Sequence, residues 1–501
     1  MPGDQPAFPF LEHVKQTDVR DGAFSFAQLF RLGDDLFEAQ FTALDGAGAL
    51  ELPDGTPLPS RFSRVPPGGG RFTGPNGQAC NGCHNSPFGT SAGEAASNVL
   101  QDPALAGQPP FNIRNTISLF GAGLIQRLAE ELTDALHAAR DDAVADALAL
   151  GGPVTRELTV QGISFGFLEI SLTADALSGD ALDENPGVVI DTRLLAGVSH
   201  DLVVRPFGWK GDVPSVRGFS RGAARNELGI EPDELVAKDP LAGLDPDGDG
   251  VEGELSVGDV TALTVYVAAQ ETPTTLGEMA ARGLLAPPGA LFEQASQRGE
   301  VLFGELGCDA CHVPELRLQD AVFEEPTSRG AGGYLDSTLE LLQDGLDPAT
   351  PTRVHLGREG DFPRPEPHPA GGLRLRLFGD LKRHRMGLQL ADAQATAVQR
   401  AGGTVLTEDD GGTAFVARDV FLTAELWGTG NTGPWLHDGR AGTLEEAIVL
   451  HGENDPPSPG DPNRSEAQEA RDAFIDLADE DREAVVTFLR SLILFQLPEE
   501  G

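Results

Sequence analysis

The chain has only four cysteines. They form two identical units, Cys80-Asn81-Gly82-Cys83-His84 and Cys308-Asp309-Ala310-Cys311-His312. Two thiols three positions apart on one turn can add to the two vinyl groups of one porphyrin, and the adjacent histidine then falls beneath the iron. A disulfide, a thioredoxin-like redox pair or a zinc site would draw on the same residues. Zinc needs a second CxxC nearby, whereas these two stand far apart and each has its own histidine. The reading is therefore two covalently bound haems c, with His84 and His312 as proximal iron ligands.

Haem of this kind is attached outside the cytoplasm. The start, Met1-Pro2-Gly3-Asp4, has neither the basic region nor the apolar core of a signal peptide. The expectation is thus a mature form of an exported, periplasmic precursor. No apolar run approaches the roughly 18–20 residues of a membrane helix. Seventy-eight acidic against 36 basic residues give a net charge of −42. Such a surface repels nucleic acid and anionic lipid, and either attracts a basic redox partner or is simply a solvated acidic face.

The elements around the motifs repeat. Residues 298–307 read as a short amphipathic helix running into the second motif, and residues 33–38 as its counterpart before the first, delayed by a Gly/Pro-rich insertion that includes Pro66-Pro67-Gly68-Gly69-Gly70. Ser256-Val257-Gly258-Asp259 caps a helix through Val267, and Asp479-Glu480-Asp481 opens another through Leu492. Helix, CxxCH and closing helix outline a class I cytochrome c domain. The expected fold is mainly α, with two class I cytochrome c-like haem domains (1–275 and 276–501) and small β-hairpin insertions. In the first domain, about 120–240 is inserted. Residues 122–150 there read as helix, 155–172 as a hairpin and 189–205 as strand-like pieces. In the second, the insertion covers about 313–425.

Several blocks resemble the bacterial di-haem oxidoreductases related to dihaem cytochrome c peroxidase, and the resemblance spans roughly 24–496. The blocks are 61–84, Leu202-Val203-Val204-Arg205-Pro206-Phe207-Gly208-Trp209-Lys210-Gly211, Asp380-Leu381-Lys382-Arg383-His384, and Leu426-Trp427-Gly428 through Gly433-Pro434-Trp435-Leu436-His437-Asp438-Gly439-Arg440, followed by Thr443-Leu444-Glu445-Glu446-Ala447. The resemblance implies a division of labour. One haem, usually the C-terminal one, is six-coordinate and relays electrons. The other keeps an open iron face for peroxide or oxygen.

The relatives take the relay haem's sixth ligand fourteen positions after the His-Asp-Gly histidine, which here is His451 rather than their methionine or tyrosine. Met386 and His384 are the rivals. Lys382, Arg383 and His384 are otherwise expected to hold a propionate or to line the inter-haem region. Relatives that need reductive activation carry a displaceable histidine soon after the first CxxCH. None stands here between His84 and His137, so the first haem should be permanently open, with His137 and His200 as surface residues. The open face should be built by residues 114–120 and the following helix. The relatives' Trp-Asp-Gly-Arg block is missing, and an ungapped count puts Glu130 where they have a distal amide. Arg114, Glu130 and Glu131 are then candidates for acid–base work in O–O cleavage, against plain helix-surface charges. Trp209 is either an electron stepping-stone or a core indole.

Asp245-Pro246-Asp247-Gly248-Asp249-Gly250 matches the first half of a calcium loop, with Ser256 in place of the closing glutamate. Asp245, Asp247, Asp249 and Glu254 (or Asp259) would bind calcium; the alternative is an acidic turn. The relatives' interdomain calcium uses other residues. The leading expectation is a periplasmic peroxidase-like enzyme that reduces hydrogen peroxide at the His84 haem. A small donor, a cytochrome c or cupredoxin, would supply electrons through the His312 haem. A dihaem oxygenase or protein-modifying oxidase is the rival enzyme, and an electron carrier without a substrate is the rival of another class.

Overall fold

The computed structural model describes residues 12–47, 77–93, 98–101, 111–173, 187–236, 245, 250–327, 345–347, 349–357, 363–393, 395–397 and 415–497. The helices that position the site are α1 (Phe26–Glu38), α2 (Ala122–Leu150), α3 (Val216–Ala223), α4 (Val257–Ala268), α5 (Ala290–Glu305), α6 (Leu444–Val449), α7 (Gln468–Ile475) and α8 (Asp479–Ser491). Capping boxes start two of them. Ser25 and Gln28 close the N-terminus of α1, and Ser256 and Asp259 that of α4.

Each CxxCH follows a helix that crosses a closing helix, α1 against α4 and α5 against α8. Both crossings are made through glycine. A Cβ on Gly33 would collide with the carbonyl oxygen of Ala262, and one on Gly299 with that of Ala484. The same contact in both halves fits the duplication read from the sequence. Gly299→Ala is expected to force the α5/α8 pair apart at about 1–3 kcal/mol, the usual cost of overpacking. Denaturant titration against wild type checks this.

The inserted segment of the first half forms as the pattern indicated. In α2, Leu124, Leu128, Leu132 and Leu136 are buried along one stripe. Behind it Val154–Val160 and Ile163–Leu172 pair antiparallel, turning at Gln161 and Gly162, both with positive φ (50° and 84°). Of the strand-like 189–205, Val188–Asp191 forms a strand along Ile163–Leu172, and Leu195 adds an isolated bridge to Gly166. The second half's insertion resolves into short antiparallel strands, among them Leu316–Leu318, Val322–Glu325 and Leu373–Leu375. Leu316, Leu318, Phe323, Val354 and Leu375 pack into the first half's hydrophobic core, while Phe303, Phe474, Val485, Phe488 and Leu489 make a second core around α5 and α8. The break near 275 therefore separates the two helix pairs, but the first core takes in residues from beyond it. Leu492–Ile493 also pairs back on Thr274–Thr275.

Candidate functional site

Both motifs wind into one tight turn. The backbone N–H of His84 donates to the carbonyl of Cys80 and that of His312 to Cys308, each at 3.0 Å. None of the four cysteines is in a disulfide. Burial pushes Cys80 up to about 12 and Cys308 up to about 11, so both stay protonated at neutral pH.

The three histidines assigned to iron share one arrangement. Nδ1 of His84 donates to the carbonyl of Ser91 (2.9 Å), Nδ1 of His312 to Phe378 (3.0 Å) and Nδ1 of His451 to Ala447 (2.7 Å). A carbonyl can only accept, so the proton sits on Nδ1 and Nε2 keeps its lone pair. Burial lowers His84 and His312 to about 4 and lowers His451 as well, holding all three as neutral imidazoles. This is the state a metal ligand needs.

His312 and His451 face each other with ring centroids 6.4 Å apart and planes inclined by 54°. Two imidazoles on opposite sides of one metal, at roughly 2.0–2.1 Å per metal–nitrogen bond, would have centroids about 6.3 Å apart. The spacing fits a shared iron. Around them lies a cavity of about 310 Å³, lined by Cys308, Cys311, His312, His451, Phe303 and Leu489 and reaching toward Asn115–Ser118 of the first half. Three of its lining residues, Asn115, Thr116 and Glu425, have a buried side-chain oxygen without a hydrogen-bond partner. Orphaned oxygens of this kind fit a wall that meets a bound group.

The first cavity is about 60 Å³, lined by Cys80, Cys83, His84, Leu119, Leu263 and Val267, with Phe37 5.9 Å from the His84 ring. Its far wall is α3 and the π-helical turn after it, carrying Phe219, Ser220, Ala223, Glu227 and Leu228. Among the described lining residues, no second histidine and no methionine appears there. These wall residues were not singled out from the sequence, because nothing local marks a helix some 130 residues past the motif as its cover.

Several expected site residues lie elsewhere. Glu131 accepts the backbone N–H groups of Gln319 and Asp320. Glu130 is buried, paired with Arg127 and accepting from Gln126 at 2.9 Å. Neither lines either of these two cavities: Glu131 is turned onto the main chain of the second half, and Glu130 onto neighbours of its own helix. Arg114 likewise makes a two-pronged pair with Asp392, at 2.7 Å on each prong. Asp392 also meets Lys210 at 3.2 Å and His437 at 3.5 Å. Burial brings Lys210 down to about 8 despite Asp392. Trp209 lines the large cavity, and its indole N–H donates to the carbonyl of Asn115 at 2.8 Å. Trp427 and Trp435 line it too, which gathers all three tryptophans of the chain.

Of the triplet 382–384, only His384 lines the cavity. Arg383 donates to Ser199 (2.9 Å) and contacts the carbonyl of Gly197, and the Lys382 stem packs on Gly197. His384 is clasped by Asp380 and Glu466, each at 2.8 Å. Burial opposes its charge, but hydrogen bonds to Asp380, Cys311 and Glu466 prevail and raise it to about 11. A protonated imidazole offers no lone pair, which removes it as a rival sixth ligand. Met386 lines the cavity. His137 is buried rather than at the surface, with Nε2 on the carbonyl of Asp201 at 2.8 Å. His200 is half-buried and lines neither cavity.

Asp247 and Asp249 of the expected calcium loop lie outside the described residues. Asp245 accepts the N–H of Gly250 at 3.0 Å. Glu254 is buried and accepts the N–H of Glu231 at 2.7 Å. Asp259 is committed to the cap of α4, holding His13, Val14 and Ser256.

Residues 403–492 match the family described as "Di-haem oxidoreductase, putative peroxidase". The match bears out, over that stretch, the resemblance drawn from the blocks around His437 and His451. No curated protein matches the chain. Among solved structures, a MauG-like protein associated with microbial copper homeostasis is 16% identical over 61% of this chain and 76% of its own, with a TM-score of 0.28. Kuenenia stuttgartiensis hydrazine synthase is 17% identical over 48% of this chain, with a TM-score of 0.21. The chain spans 56% of that protein's length. Both likenesses are distant. Among the described residues, no helix of the chain is long and apolar enough to cross a membrane.

Proposed function

We propose that the chain is an exported di-haem peroxidase that reduces hydrogen peroxide at the His84 haem, fed with electrons through the His312 haem. The observation that carries this reading is the asymmetry of the two sites. His312 is faced by His451 at the spacing of a shared metal, whereas the described lining of the His84 cavity holds no second histidine and no methionine. Cys80 and Cys83, like Cys308 and Cys311, would hold their haems by thioether bonds. Bound there, haem iron supplies the one-electron chemistry and, at an open face, the site where peroxide is cleaved.

The chain's own residues do the rest. The carbonyls of Ser91, Phe378 and Ala447 fix the imidazole tautomers and strengthen them as donors. Phe219, Leu228 and Leu263 keep bulk water from the open face. Glu227 is the carboxylate among the described residues lining that cavity, and with Ser220 it would hold and pass the proton that moves between the peroxide oxygens. Trp209, anchored on Asn115, stands on the wall of the large cavity nearest the first half, as a stepping-stone for electrons. The charge of −42 suits a basic cytochrome c or cupredoxin as donor.

The test is direct. The denatured protein should keep two haems covalently attached, and the fully oxidised protein should change its Soret band within the first moments after mixing with one equivalent of peroxide. Steady turnover of peroxide with a reduced small cytochrome should follow. Inertness until half-reduction would mean that the first iron is blocked and would sink the reading. Consumption of dioxygen with no peroxide turnover would select the oxygenase instead.

A further inference from the structure

The wall of the large cavity, which Cys308 and His312 also line, carries Glu425, whose Oε1 is buried and has no hydrogen-bond partner. Among the described residues of that wall, the cations are already engaged. Asp380, 2% exposed, is the acidic neighbour. The positive charge of His384 is divided between Asp380 and Glu466. Arg471, also on the cavity wall, is spent on the carbonyl of Val449, on Asn454 and on Asp472. His312 and His451 are neutral. A buried carboxylate oxygen without a partner is costly, and the cheap escape is to take up a proton, although a backbone N–H donating to the same carboxylate works the other way. Burial, with Asp380 adding to it, brings Glu425 up to about 7.

We propose that Glu425 is a proton-exchanging contact of the second haem, taking up one proton as that haem gains one electron and releasing it when the electron leaves. The proposal rests on the reading of the His312/His451 pair as a haem site. The exchange balances simply. One electron arrives at the haem from the donor protein, one proton arrives from solvent on a carboxylate oxygen of Glu425, and no other bond changes. The added negative charge favours protonation of a nearby carboxyl, and by reciprocity protonation favours reduction. Glu425 would thereby keep the relay site's charge constant within a chain that is already strongly acidic.

Spectroelectrochemical titration of the low-spin haem, from about pH 5 to about pH 9, tests this across the carboxyl's range. In the wild type the midpoint should fall as pH rises. The limit is 59 mV per unit, the one-electron equivalent of a tenfold change in equilibrium constant. In Glu425→Gln it should be flat. Redox-difference infrared spectra should show a protonated-carboxyl band in the wild type that the variant lacks. A flat wild-type midpoint, or an unchanged slope in the variant, overturns the proposal. The optical spectrum of the same sample separates the two layers. Without a low-spin haem both readings fall; with one present and a flat midpoint, only the role of Glu425 does.

Discussion

His451→Ala is expected to turn one of the two haems from low-spin to high-spin while leaving its attachment intact. The imidazole of His451 is held on the carbonyl of Ala447 with its Nε2 lone pair free, 6.4 Å centroid to centroid from His312. Truncation at Cβ removes that donor and leaves a space the size of an imidazole against Ile448 and Leu444, both on the cavity wall. Exogenous imidazole should therefore restore the low-spin spectrum, which a merely structural loss would not allow. His384→Ala is the control. That side chain is an imidazolium clasped by two carboxylates, so its loss should leave the spin state alone. An unchanged spectrum in His451→Ala would pass the ligand role to Met386, the other rival read from the sequence that lines the cavity.

The second large effect belongs to a buried ion cluster behind the first cavity. Arg217 of α3 donates to Glu234 from Nε (3.1 Å), to Glu325 of the second half (2.8 Å) and to Thr261 (2.9 Å), while Arg221 also donates to Glu234 (2.9 Å). Glu234 is 1% exposed. Glu234→Gln would take one carboxylate from each of two buried guanidiniums, Arg217 and Arg221, and breaking a buried pair from one side costs about 3–5 kcal/mol. Chemical denaturation at neutral pH reads it. Burial works against the charge of Glu234, but Arg217 and Arg221 prevail and hold it below the ordinary carboxylate range. Its contribution is thus present above about pH 4.3, the ordinary value, and is lost as pH falls through its lowered folded value. The gap between wild type and variant should be widest at neutral pH and close in acid. A constant gap would mean that shape, not charge, is at stake. Phe219 and Ser220 sit between these arginines along α3, so the variant should also disturb the Soret band of the His84 haem.

Local chemistry was legible from residues alone. A CxxCH turn needs only neighbours in sequence. Ser256 with Asp259, and the acidic run Asp479-Glu480-Asp481, mark helix starts through groups one turn away. The hairpin of Val154–Val160 and Ile163–Leu172 follows from alternation and a turn at Gln161-Gly162. His451 could be named because a resemblance supplied its distance from His437. Tertiary structure alone decided which groups meet across the chain. Glu130 and Glu131 stand on a helix whose register the pattern permits, but burial against Arg127 and the main chain at 319–320 takes them out of the site. Phe219, Asp392 and Glu425 carry no local signature. What each does depends on elements tens to hundreds of residues away, because burial, orphaned oxygens and shared charge arise only when separate segments close around one cavity.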